Sequence, residues 1–178
     1  MMKPRIFAML AALSVAFAAP VHAQKTAGDV VDDSTINASV KVALVSDKTA
    51  DASKINVETY KGVVQLSGFV PTQAQKDSAG KLAAGVAGVK EVKNSIAIGA
   101  SQSVGQKLDD SVTTGRVKAA LVDTKDVKAR QINVETNGGV VQLSGFVTSP
   151  GMRERAAKVA AGVDGVKRVE NALIIKPE

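Results

Sequence analysis

Apolar positions along the chain follow two rhythms, and the whole order of rhythms occurs twice. Ile36, Val40, Ala43 and Leu44 recur at the spacing of one helix face. Ile55 and Val57 then alternate with Asn56 and Glu58, the period of a half-buried strand. A second strand runs from Val63 to Val70 with Val64, Leu66 and Val70 on one face. Ala79, Leu82, Ala83 and Val86 return to helical spacing. Lys90 to Ile98 reads as a last strand, in which Val92, Ile96 and Ile98 share a face with Asn94. The same helix, strand, strand, helix, strand order restarts at Asp110, at a constant offset of 77 residues and with no gap. About half of the aligned positions are identical, so the chain is one unit written twice.

Turn and cap residues punctuate both copies. Asp33/Ser34 and Asp110/Ser111 are expected to cap the first helix of each unit, and Thr72 and Ser149 the second, with Pro150 at its first position. Tyr60-Lys61-Gly62 and Asn137-Gly138-Gly139 are expected hairpin turns, the latter through its Asn-Gly pair. Gly62 and Gly139 follow from those turns. Gly85/Gly88 and Gly162/Gly165 read as helix-terminating glycines. Gly68 and Gly145 sit inside a strand, which points to a bulge or to tight helix–sheet packing rather than to close approach by a ligand. Asn94 and Asn171, on an apolar face, are expected to tie down a neighbouring loop backbone. The predicted organisation is a flexible N-terminus at 24–32, units at 33–98 and 110–175, a Gly/Ser/Gln-containing linker at 99–109 and a tail at 176–178. The offset allows a pseudo-two-fold pairing of the units.

The first 23 residues have a different character. Lys3 and Arg5 precede an apolar run from Ile6 to Ala19, too short for a span of about 20 residues. Pro20 and Val21-His22-Ala23 follow it. This pattern predicts a secretory signal peptide cleaved after Ala23 and a periplasmic destination. No Cys follows the apolar run, so a lipoprotein is not expected, and no later segment reads as a transmembrane helix. Cleavage would reduce the net charge from +6 to +4 and remove the single His. The chain has no Cys. Without Cys or His, thiol catalysis, Ser–His–Asp chemistry and Cys/His metal sites are excluded, and no catalytic residue, cofactor or metal site is expected. Aromatic residues make up only 3% of the chain, which together with export argues against nucleic-acid binding.

The motifs I-N-V-E-T, G-V-V-Q-L-S-G-F-V and A-x-K-x-A-A-G-V-x-G-V-K-x-V-x-N, each present in both copies, carry a resemblance to the BON family. The resemblance spans nearly all of the chain beyond the expected leader. It implies an α+β fold of two tandem units, each a three-stranded mixed sheet packed on two helices. It also implies a non-enzymatic periplasmic protein of envelope and osmotic stress that binds phospholipid surfaces. The alternative it implies is a chaperone-like or protein-binding factor for envelope proteins.

Arginine gives the lipid reading a location. Beyond the leader, every Arg lies in the second unit. Arg grips phosphate oxygens with a planar fork, whereas Lys is a point charge. Arg116 and Lys118 on the first helix of that unit, or Arg153 and Arg155 on its second, are the candidate residues for an anionic phospholipid headgroup. The helices have no Trp and few bulky apolar residues, so they read as core-facing, and surface contact rather than insertion is expected.

Overall fold

The computed structural model describes residues 32–177. The expected leader, its cleavage after Ala23 and most of the expected flexible N-terminus lie outside those residues. Unit one comprises α1 (Asp33–Ser46), β1 (Ile55–Tyr60), β2 (Val63–Val70), α2 (Gln73–Ala84), β3 (Glu91–Asn94) and β4 (Ala97–Ile98). Unit two comprises α3 (Val104–Val122), β5 (Asn133–Asn137), β6 (Val140–Ser144), β7 (Phe146–Val147), α4 (Pro150–Ala161), β8 (Arg168–Asn171) and β9 (Ile174–Ile175). In each unit the hairpin is antiparallel and the last strand runs parallel to its central strand. This is the expected mixed sheet with two helices on one face.

The inward side of each sheet is aliphatic. Val64, Leu66 and Val70 pack under Ile36, Val40 and Leu44 of α1 and are essentially buried. Val141, Leu143 and Val147 do the same under Val117 and Leu121 of α3. Each such side chain contributes about 1.5–3 kcal/mol on burial. Both hairpin turns have two consecutive residues of positive φ, Lys61–Gly62 and Gly138–Gly139. That is the type I′ geometry whose twist matches the strands. In unit two the turn falls on Gly138–Gly139, not on Asn-Gly, because Asn137 still pairs with Val140.

Several expectations need correction. The last strand is broken in both copies: Asn94 and Asn171 turn their carboxamide oxygens back onto the N–H of Ile96 and Leu173. Beyond the break Ile96 is buried but Ile98 and Ile175 are exposed, so the predicted shared face ends there. The Asn amides also donate to Lys76 O and Arg153 O, which lie in α2 and α4 and not in a loop.

The start of α3 differs more. The helix begins at Val104, capped by Ser103 in a capping box with Gln106, so most of the expected linker is helical. Asp110 does not cap it. It lies inside the helix, buried, and its carboxylate accepts from Gly138 N at 2.7 Å and Gly139 N at 2.9 Å. Asp33 makes the same pair of bonds with Lys61 N and Gly62 N, and the cap position of α1 is Asp32. The repeated Asp therefore serves to hold a helix to its hairpin turn.

The outward faces of the two sheets meet. Side chains alternate across a strand, so Gln65 and Ser67 point away from the helices of unit one, and Gln142 and Ser144 away from those of unit two. All four are buried, because each set covers the other. The result is four layers: helices, sheet, sheet, helices.

Candidate functional site

The contact between the sheets is a reciprocal hydrogen-bond clamp. Gln65 accepts from Gly145 N at 2.8 Å and donates to Ala172 O at 2.7 Å. Gln142 accepts from Gly68 N at 2.6 Å and donates to Ser95 O at 2.7 Å. Ser144 Oγ donates to Ser67 Oγ at 2.8 Å. Every partner is related to its counterpart by the 77-residue offset, so a pseudo-two-fold axis passes through the serine pair. Two of the clamped amides belong to glycines that pack tightly against the backbone of their own unit. Gly68 and Gly145 have φ of +116° and +119°, and a Cβ there would lie 2.1 and 2.2 Å from Lys54 O and Gln131 O. The tight packing is therefore against the segment leading into each hairpin and not, as expected, between helix and sheet. Gly62, Gly88, Gly139 and Gly165 also have positive φ, while Gly85 and Gly162 follow α2 and α4 in ordinary right-handed conformation.

The four predicted headgroup residues do not form one patch. Arg116 and Lys118 are two positions apart on α3, and Arg153 and Arg155 two apart on α4, which turns each pair about 200° apart around its helix. All four are exposed, and none makes an ion pair among the described residues. Arg116 lines a surface hollow of about 420 Å³ with Lys167, Asp109 and Asp110. Asp110 is already engaged by two backbone amides there, as described above.

What Arg116 and Lys118 do share is a position beside an unexpected feature. Val104, Leu108, Val112, Gly115, Ala119 and Val122 are all exposed and run the length of α3. At 3.6 residues per turn they fall within an arc of about 80°, opposite the buried face. Val104 is 76% exposed, Leu108 63%, Val112 53% and Val122 69%, so this is apolar surface left in water. Lys107 and Lys118 flank the stripe on one side and Arg116 on the other, the latter beside Asp109 and Asp123. Sequence reasoning missed the stripe because it started the helix at Asp110, which removed Val104 and Leu108 from it. The available signal was Ser103-x-x-Gln106, a capping box ahead of an apolar residue. On α1, Val42 and Val45 are exposed at the positions equivalent to Ala119 and Val122, but only Lys41 flanks them.

Residues 32–100 and 109–177 each match the BON domain. The chain belongs to the BON-domain family. Its two BON units correspond to the two copies described above. It is 44% identical over 151 residues to osmotically-inducible protein Y of Escherichia coli (strain K12), covering 84% of this chain and 75% of that protein. It is 39% identical to the 21 kDa hemolysin of Actinobacillus pleuropneumoniae and 36% identical to the outer membrane lipoprotein DolP of Haemophilus influenzae. Each of these two alignments covers 82% of this chain and 75% of the relative. Among the described residues, no helix of this BON protein is long and apolar enough to cross a membrane.

Proposed function

We propose that this BON protein is a non-enzymatic, periplasmic envelope-stress protein that rests on anionic phospholipid surfaces through α3. The exposed apolar stripe of α3, with Arg116 and Lys118 straddling it, supports this reading. An apolar strip flanked by cations suits a helix lying in the interface plane, with the aliphatic stems of Lys and Arg following the strip and their charges reaching phosphates. The names of the relatives, one osmotically inducible and one an outer membrane lipoprotein, support an envelope setting. Arg153 and Arg155 on α4 have no comparable apolar neighbour face, so α3 takes precedence over α4.

Co-sedimentation of the full chain with phosphatidylglycerol-containing and pure phosphatidylcholine vesicles at low salt tests the reading. Binding to the anionic vesicles and little to the neutral ones is expected. Each cation near such a surface contributes about 1 kcal/mol, so Arg116→Gln and Lys118→Gln should each weaken partitioning about fivefold. Leu108→Asp should abolish it. No binding to either vesicle would defeat the lipid reading. Suppressed aggregation of an unfolded outer-membrane protein without lipid would instead favour the chaperone-like role.

A further inference from the structure

The pseudo-symmetry of the clamp is broken at one place. Asn56 of β1 donates to Glu135 of β5 at 3.3 Å across the seam. The 77-residue offset relates Asn56 to Asn133 and Glu135 to Glu58, so the equivalent bond would join Asn133 to Glu58. It is not made: the Asn133 amide nitrogen is buried without a partner, although it borders the same hollow as Glu58. Two further side-chain atoms are buried and unpartnered among the described residues, Thr59 Oγ1 and Gln131 Oε1. Both residues border a second hollow that Glu58 also lines. Among the described residues, every unsatisfied buried side-chain atom therefore belongs to a residue lining one of the two hollows that Glu58 lines. The Glu58 carboxyl lies against the backbone of Gly145, where a Cβ would be 2.9 Å from Glu58 Oε2. Gly145 N is itself held by the Gln65 clamp.

We propose that Glu58 is a proton-operated latch on the docking of the two units. A neutral carboxyl offers one acceptor oxygen and one hydroxyl donor. Accepting from the Asn133 amide and donating to Gln131 Oε1 would relieve two of the three orphans. An ionised carboxylate can only accept, so Gln131 Oε1 stays unpaired and a charge stays in the seam. Burial pushes the Glu58 carboxyl above its ordinary value of 4.5, against the pull of Lys41 on α1. Of the charged groups around it, Lys41 shares the first hollow with Glu58 and Lys176, beyond β9, shares the second. For an acid raised on folding, the stabilisation is fully present below about 4.5 and is lost as pH rises through the folded value. Acid closes the latch, and neutral pH releases it.

The full chain provides its own control, because Glu135 is the symmetry mate of Glu58. Hydrogen-exchange protection of Gly145 N–H should be measured between pH 4 and 8, corrected for the intrinsic pH dependence of exchange. In the wild type protection should fall as pH rises. It should be flat in Glu58→Gln and should fall as in the wild type in Glu135→Gln. The same fall in Glu58→Gln as in the wild type would overturn the proposal. A carboxyl-detected NMR titration of Glu58 in the wild-type chain stands independently of any variant's folding. Titration above 4.5 supports the latch, and titration at or below that value overturns it.

Discussion

Two glycine positions show how backbone geometry, rather than side-chain chemistry, constrains single residues here. Gly68 and Gly145 combine positive φ with a carbonyl oxygen where a Cβ would sit. Neither strain nor clash can be relieved alone, since the carbonyls belong to Lys54 and Gln131 at the entrance to each hairpin. Gly138 also has positive φ, 61°, but nothing lies within 4 Å of its would-be Cβ. Its counterpart in unit one is Lys61, at φ 51°. A side chain is thus already accepted at that turn position. Gly68→Ala and Gly145→Ala should each destabilise the protein by more than the ~1–3 kcal/mol of a strained backbone alone. Gly138→Ala should cost no more than about 1–2 kcal/mol. Urea unfolding midpoints of the three variants check the order, and equal losses at all three sites would contradict it.

At the scale of elements, hydrophobic rhythm revealed what each element buries but not where α3 begins or what lies outside it. Ile36, Val40 and Leu44, or Val64 and Leu66, announce their faces because one side of the element is core and the other is not. The first two turns of α3 have no core side of their own. They are set by Ser103 and Gln106, which satisfy N–H groups that no earlier turn can satisfy. Asp110 misled for a related reason: Asp is favoured at helix caps, yet here its carboxylate takes the N–H groups of a hairpin turn 28 and 29 residues away. Ser103→Ala should cost about 1 kcal/mol of local helix stability. The effect should appear as faster amide exchange in the first turns of α3, with the exchange of α4 unchanged. If α3 is the lipid-facing element, vesicle binding should weaken in parallel, because Val104 and Leu108 lose their fixed place in the stripe.

For the whole molecule, the decisive residues are polar ones on the strand face opposite the aliphatic core. Alternation along V-V-Q-L-S-G-F puts Gln and Ser outward, and an outward face reads the same whether water or a second unit covers it. The physical hint was composition. Both copies keep uncharged Gln and Ser on these positions, where a solvated face is free to carry charge. Burial makes these amides costly to remove, because each Gln holds one backbone N–H and one carbonyl oxygen of the other unit. Leaving a buried group unsatisfied costs about 1–3 kcal/mol. Gln65→Ala and Gln142→Ala should therefore each be destabilising by about that amount or more. The two substitutions act on one interface through different hydrogen bonds, so once the first has loosened the seam the second should cost less than it does alone. A double-mutant cycle should show this shortfall, and it should coincide with a loss of cooperativity: one unfolding transition in the wild type, two in the double variant as the units melt separately. Strict additivity with a single transition retained would mean that the aliphatic cores, rather than the amide clamp, couple the two BON units.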